Sequence, residues 1–330
     1  MCAREEIDNQ INERIKKIIS GYPVILEKYI NSMIRKTSYT KRAYAYYVTS
    51  FLDYMRDVLK YDINNYDNFD IIKPMDIDEY MEYIRVDKDG KENSATYRSA
   101  QLAAINGFFK FLKKNEIIKS NPCAETEIPK DDKEHEIITI TDKDLKIMIA
   151  NIKKGVGSDK SKSTQKKWQT RDIALLRLGL STGLRISAIC GIDLNDVDFI
   201  DKSIMVTEKG KVPKRIYIGN ETTKAIKEWV RDRGDMVDFT EPALFISQTG
   251  KRITPRIVQR RFQQLTEQLG KHITPHKMRA TCATRLYENT GDIYIVQQQL
   301  GHKNIQNTQR YAKVSDEKKR EAANILDSLY

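Results

Sequence analysis

The sequence predicts a mainly helical protein of two domains, the second of which carries one small antiparallel sheet. Three observations predict this. Apolar residues recur at helical spacing through most of both halves of the chain. Between them the stretch PCAETEIPKDDKEHE is charged, extended and poor in apolar residues, as a linker is, and puts the domain boundary near Pro129 to Glu136. Alternation of the kind strands show is confined to residues 203–207 and 215–218, on either side of a turn. At 330 residues the chain is long enough for two separate cores.

In the first half, Ile7, Ile11, Ile15 and Ile18 stand at helical spacing and predict a helix over Arg4–Ile19, stopped by Gly21-Tyr22-Pro23. A second helix runs from about Val24 to Ile34. A third opens on Thr37-Ser38 as a cap and carries Tyr44, Tyr47, Phe51 and Met55 on one stripe. Such a stripe is read as core in preference to a set of base-stacking rings. Asp62 to Pro74 is a polar connection, Asp76 to Ile84 a short helix and Val86 to Gly90 a turn. The last helix of this half spans Ser94 to about Lys114, with Leu102, Ile105, Phe108, Phe109 and Leu112 on its apolar side. Lys41, Arg42, Arg98 and Lys110 are candidates for contact with phosphate, although each alone fits a solvated helix face equally well.

In the second half, Thr141 is the predicted N-cap of a helix reaching about Ile152. The run KKGVGSDKSKSTQKKWQT has no period and reads as a flexible solvated loop; the sharper reading is a basic loop that orders on nucleic acid. Arg171 to Leu180 is a strongly apolar helix that Ser181-Thr182-Gly183-Leu184-Arg185 interrupts. An arginine between two apolar segments is expected to be partly buried and to need an anionic partner, and the positions three and four residues on are Ala188 and Ile189. The predicted strands enclose the turn EKGKVPK, with Lys209, Lys211 and Lys214 crowded into it. Helices follow over Glu221–Arg231, Ile253–Leu269 and Met278–Glu288.

The formal charge of +11 favours a polyanionic partner, though charge alone does not separate DNA from RNA or anionic lipid. The four cysteines form no C-x-x-C pair, which points to reduced thiols. The polar, acidic start MCAREEIDNQ has no signal-peptide character, and no apolar run approaches the roughly 18 residues of a membrane span. A cytoplasmic, nucleoid-associated protein is expected.

The reactive residues concentrate between Thr274 and Val314. Thr274-Pro275 has the form of a helix start, and His276 and Arg279, three apart, then fall near its positive end, a sensible place for a phosphate. Arginine cannot ligate a metal, and no second acid or histidine completes a set, so no metal is expected. The pattern of Arg185 in STGLRIS, Lys209 in the hairpin turn, H-x-x-R at His276 and Arg279, LGH ending in His302, and Tyr311 nine residues later resembles the tyrosine recombinase, or phage integrase, family. The resemblance extends to TKRAYAYYVTSFLDYM and NPCAETEIPK in the first half, and so covers about Val24 to Tyr311.

That resemblance implies a helical, SAM-like core-binding domain and a mixed, mostly helical catalytic domain. Applied to this chain it gives an N-terminal helical extension over 1–20, a core-binding domain over 21–128, a linker over 129–136 and a catalytic domain over 137–330. It implies that Tyr311 attacks a scissile DNA phosphate and leaves a 3′-phosphotyrosyl link. Arg185 and Arg279 would clamp the non-bridging oxygens, Lys209 would act as general acid, His276 would assist the tyrosine's proton and His302 would hydrogen-bond the phosphate. No cofactor is implied. Lys211 and Lys214 are close enough to substitute for Lys209, or to contact DNA. The implied partners are double-stranded DNA with inverted core sites, three further copies in a tetramer built by exchange of the C-terminal helix around Ala323, Ile325, Leu326 and Leu329, and accessory directionality proteins. Two departures stand out: Ala188 where the family usually has an acid, and Ala280 where it usually has a histidine. A type IB topoisomerase-like relaxer shares the chemistry, but the LGH motif and the core-binding domain favour a recombinase. A DNA-binding protein that keeps the fold without catalysis is the non-enzymatic alternative.

Overall fold

The isoleucine stripe near the N-terminus folds as α1 (Ala3–Ile19), with Ile11 and Ile15 buried as it packs against α3. The computed structural model describes the chain apart from residues 1–2, 64–65, 128–136, 208–212, 238–239, 271–272, 302–303, 312–319, 321–322, 325–326 and 328–330. It divides into two units, Met1–His135 and Glu136–Tyr330.

In the first unit, α2 (Val24–Ser32) stops short of the predicted Ile34, whose side chain is 87% exposed and has no core to hold a further turn. α3 (Ser38–Asp57) starts where Thr37 accepts the Thr40 N–H at 3.1 Å. Phe51 and Met55 are fully buried, while Tyr44 and Tyr47 pack at the rim of the same core. The predicted polar connection after α3 contains a 3-10 turn over Tyr66–Ile71, anchored by buried Ile63, Phe69 and Ile72, so it is not simply a solvated loop. α4 (Pro74–Tyr83) has Asp76 in its first turn, where the buried carboxylate accepts the Lys73 N–H at 2.7 Å. α5 (Ala95–Lys114) is capped by Ser94 and buries all five of its predicted apolar residues. Pro122 and Cys123 are also buried, so the first residues of the predicted linker belong to this core; residues 128–136, where the boundary is expected, lie outside the described ones.

In the second unit, α6 (Asp142–Lys154) opens with a capping box in which Thr141 and Asp144 satisfy each other's backbone N–H groups. The predicted flexible loop is in part a helix, α7 (Asp159–Lys166), none of whose residues is buried. Polar clasps replace the apolar face that periodicity looks for. α8 (Gln169–Thr182) is the central helix, packed by α6, α9, α10 and α12, and it ends at Gly183 in the left-handed region (φ 62°). α9 (Ile186–Gly191) follows. β1 (Val197–Asp198), β2 (Ser203–Val206) and β3 (Lys214–Tyr217) form an antiparallel sheet in that order, with buried Ile204 opposite buried Ile216. α10 (Asn220–Gly234) lays Trp229 into the core, where its indole N–H donates to the Leu244 carbonyl at 2.8 Å. α11 (Pro255–Thr266), α12 (Pro275–Thr290), α13 (Ile293–Leu300) and the short α14 (Gln306–Gln309) complete the unit. Of the tail positions named above, Ala323 is helical and exposed; Ile325, Leu326 and Leu329 fall outside the described residues. No helix among the described residues is long and apolar enough to cross a membrane.

Candidate active site

Gly183 sets the geometry from which the site is built. Its positive φ suits glycine, and an added Cβ would meet Leu300 Cδ2 at 2.8 Å and Cys282 Sγ at 3.1 Å. The chain therefore turns tightly against α12 and α13 before reaching Arg185, the N-cap residue of α9. The sequence predicts a partly buried Arg185. The side chain is instead exposed, because its neighbours Leu184 and Ile186 take the two inward directions and leave the arginine pointing to solvent.

The buried cation is Arg279, 6% exposed on α12. Its Nη1 donates to the Gly183 carbonyl and its Nη2 to the Leu300 carbonyl, both at 2.6 Å. Those carbonyls close α8 and α13, so the guanidinium sits at the negative ends of two helices and satisfies acceptors the helices cannot satisfy themselves. A buried charge does need partners here, but the charge is Arg279 and the partners are backbone carbonyls. His276, three residues earlier, is exposed, so the spacing that suggests one shared face puts one side chain outside and the other within. Thr274 occupies the N-cap position of α12, yet its side chain makes no capping bond.

Two further bonds tie the last turn of α13 in place. Gln299 Nε2 donates to the Thr182 carbonyl at 3.1 Å, and the Gln299 carbonyl accepts Lys214 Nζ at 3.3 Å. Lys214 thereby joins β3 to the segment that runs into Gly301 and His302. Gln299 is a positioning residue that the sequence reading missed; its only signal is its place just ahead of LGH. Lys209, Lys211 and His302 lie outside the described residues.

Tyr311 is 9% exposed and packs in a small apolar cluster with Ala280, Ala283, Val296 and Leu300. The Arg310 guanidinium lies 5.3 Å from the centre of its ring, and the Tyr311 N–H donates to the Thr308 carbonyl at 2.9 Å. Leu300 thus serves both groups, with its side chain in the tyrosine cluster and its carbonyl on Arg279. Ala280 and Ala188, the two departures noted above, are both buried, Ala280 beside the tyrosine and Ala188 in the main core. Burial pushes the neighbouring Cys282 thiol up to about 11, with Arg279 pulling the other way.

In the first unit, contact between the Tyr47 and Tyr97 rings, 5.9 Å apart, brings the first half of α3 to the first turn of α5. Lys41, Arg42 and Arg98 are half-buried, with the Arg42 guanidinium 5.6 Å from the Tyr39 ring. Lys110 is exposed and stands twelve residues beyond Arg98, about 18 Å along the helix, so the four do not form one cluster.

The phage integrase family model matches residues 139–318. Similar proteins include the tyrosine recombinase XerC of Corynebacterium glutamicum, 32% identical over 72% of this chain and 73% of that protein. The XerC of Caldanaerobacter subterraneus subsp. tengcongensis is 29% identical over 92% of this chain and 86% of that one. Among solved structures, the Tn1549 transposon integrase in complex with transposon right-end DNA superposes with a TM-score of 0.70 at 21% identity, covering 92% of this chain and 98% of that one. XerH recombinase bound to its difH substrate gives 0.67 at 19% identity, over 91% and 84% of the two chains. These likenesses match the mostly helical fold with its small sheet. The matched segment contains α8, the sheet, α12, α13 and Tyr311, and it spans more than half of the chain. On these grounds the protein belongs to the phage integrase family, the tyrosine recombinases.

Proposed function

We propose that the protein cuts and rejoins duplex DNA at specific sites through a 3′-phosphotyrosyl intermediate. The phenolic oxygen of Tyr311 attacks the scissile phosphorus, the bond from phosphorus to the 5′ oxygen breaks, and a 5′-hydroxyl departs. The new ester keeps the energy of the broken bond, so a 5′-hydroxyl from a second duplex can reverse the step and join the strands without a nucleotide. Arg185 and Arg279 hold the non-bridging oxygens as charge grows on them, the kind of preorganised donation that is worth about 3 kcal/mol per donor. Lys209 hands a proton to the departing oxygen, His276 takes the proton of the tyrosine, and His302 donates to the phosphate.

The observation that carries this reading is the bonding of buried Arg279 to the carbonyls of Gly183 and Leu300. One side chain draws the segment before Arg185 and the segment before His302 onto α12, next to the cluster that seats Tyr311. Three motifs far apart in sequence thereby converge on one set of backbone bonds.

Two duplexes and four cuts call for four active sites, so the assembly we infer is a tetramer on paired inverted core sites, joined by exchange of the C-terminal helix and steered by directionality proteins. Residues 21–128, after the extension 1–20, act as the core-binding domain, with Lys41, Arg42, Arg98 and Lys110 on phosphates, and 129–136 link them to the catalytic residues 137–330. Lys211 and Lys214 are assigned to the DNA backbone beside the cleavage point. The test is a nicked core-site duplex, which loses the short strand carrying the 5′-hydroxyl and traps the covalent protein. A denaturant-resistant adduct is expected with the natural protein and none with Tyr311→Phe. An adduct that persists in Tyr311→Phe would sink the assignment.

A further inference from the structure

α7 is a helix without a buried face. None of its eight residues is buried, and eight residues alone are too few to hold a helix in water. Polar side chains fasten it instead. Gln165 uses its whole amide: Nε2 donates to the Val156 carbonyl and to Ser161 Oγ, both at 2.8 Å, while Oε1 accepts the Val156 N–H at 2.9 Å and Arg261 Nη1 at 2.8 Å. Arg261 is held in turn by Asp172, Nε to Oδ2 at 2.6 Å, and this 2%-exposed carboxylate also takes Arg171 at 2.8 Å. A chain of bonds therefore runs from the buried foot of α8 to a helix that faces solvent.

What that helix and its flanks present is lysine. Lys153, Lys154, Lys160, Lys162, Lys166 and Lys167 are all exposed, and the one acid among residues 153–167, Asp159, is paired with Lys162 at 3.2 Å. Ordering a segment costs conformational entropy, and no apolar burial offsets it here. Fixing a row of like charges in place is sensible when a polyanion is to be met. Lysines on flexible stems suit a backbone contact that positions a duplex without reading its sequence.

We propose that α7 is a pre-ordered contact for the phosphate backbone of duplex DNA, separate from the cleavage centre. The inference rests on the recombinase reading of this domain. α8, 14 residues long, separates α7 from the Arg185 turn, a reach of about 20 Å at 1.5 Å per residue. With one phosphate per roughly 3.4 Å along each strand, the contact falls within about seven base pairs of the scissile phosphate.

The test compares two full-length variants, each losing four positive charges: Lys160, Lys162, Lys166 and Lys167 all changed to Gln on and just past α7, and Lys202, Lys224, Lys227 and Arg231 all changed to Gln on and beside α10. Non-covalent binding to a long duplex is titrated against salt. For the α7 variant the slope of log affinity against log salt should fall by about 2–4, with dissociation constants at least tenfold weaker near 0.15 M salt. The α10 variant should stay near the natural protein, and adduct yield on nicked duplex at saturating protein should be unchanged in both. Gln165→Leu keeps the lysines but releases the clasp, and should lose part of the affinity. Equal losses in the two charge variants, an unchanged slope for α7, or natural affinity in Gln165→Leu would overturn the proposal. So would phosphatidylserine vesicles that outcompete the duplex for these lysines, since that marks a membrane surface. If the natural protein forms no tyrosyl adduct while the α7 slope still changes, it is the recombinase reading that fails.

Discussion

Arg185 and Arg279 carry the same charge in opposite settings, and the setting dictates how each variant should behave. Arg185 is exposed at the start of α9, so Arg185→Ala should cost about 1 kcal/mol of stability or less. Core-site binding should survive while adduct formation disappears; a loss of binding in step with cleavage would point to a positioning role. Arg279 is bonded to two helix-ending carbonyls, and hydrogen bonds from a charged donor contribute about 1.5–3 kcal/mol each. Arg279→Ala should therefore cost about 3–6 kcal/mol in urea unfolding as well as cleavage, and Arg279→Lys should recover little, since one ammonium cannot span both carbonyls. A natural urea midpoint for Arg279→Ala would show that these bonds carry no stability. Both arginines stand out in the sequence by motif; which of them is buried does not, because burial follows from the helices that surround each one.

At the scale of the helices, local chemistry was readable wherever a side chain caps or packs within its own segment. Thr37 and Thr141 cap α3 and α6 as their positions predict, Ser94 caps α5, and removing one cap in Thr141→Ala should lower stability by about 1 kcal/mol. Gly107 is a harder case. On helix propensity alone, alanine there should gain about 1 kcal/mol. A Cβ at this position, however, runs into the Tyr29 hydroxyl, which donates to the Ala104 carbonyl at 3.1 Å. Gly107→Ala should destabilise by about 1–3 kcal/mol in denaturant titrations, and a more stable variant would mean that Tyr29 swings aside freely. α7 was illegible for the complementary reason: Arg261, which bonds its Gln165, lies 96 residues along the chain, and a polar clasp leaves no apolar period.

For the molecule as a whole, alkaline pH should be the weak side. Burial pushes the thiols of Cys123 and Cys190 up to about 12 and that of Cys282 up to about 11, from an ordinary value of 9.0. Burial, aided by Asp53, likewise lifts the Tyr22 phenol from 10.0 to about 12. Each folded group holds its proton where the unfolded chain has released it. The stability they contribute is complete below about pH 9 and falls as pH rises from there through 11 to 12. Urea midpoints should decline steadily across that window, and a flat profile above pH 9 would contradict the burial of these groups. Cys123 lies in the first unit and Cys190 and Cys282 in the second, so both units should weaken.

The sequence by itself determined the helical class, the two paired strands and the caps at Thr37 and Thr141, because periodicity and capping are local properties of the chain. The motif from Thr274 to Tyr311, with Arg185 upstream, was legible as a family pattern because its residues stand at characteristic spacings, and the family model matches residues 139–318. Only the tertiary structure decided that Arg279 is buried, that Gln299 and Lys214 tie down the end of α13, and that a lysine-rich stretch is an ordered helix. Those outcomes depend on carbonyls, carboxylates and ring faces brought together across tens to more than a hundred residues. Hydrogen-bond partners at that separation leave no trace in a local pattern. Long-range packing chooses them, and with them the way the reactive residues are held.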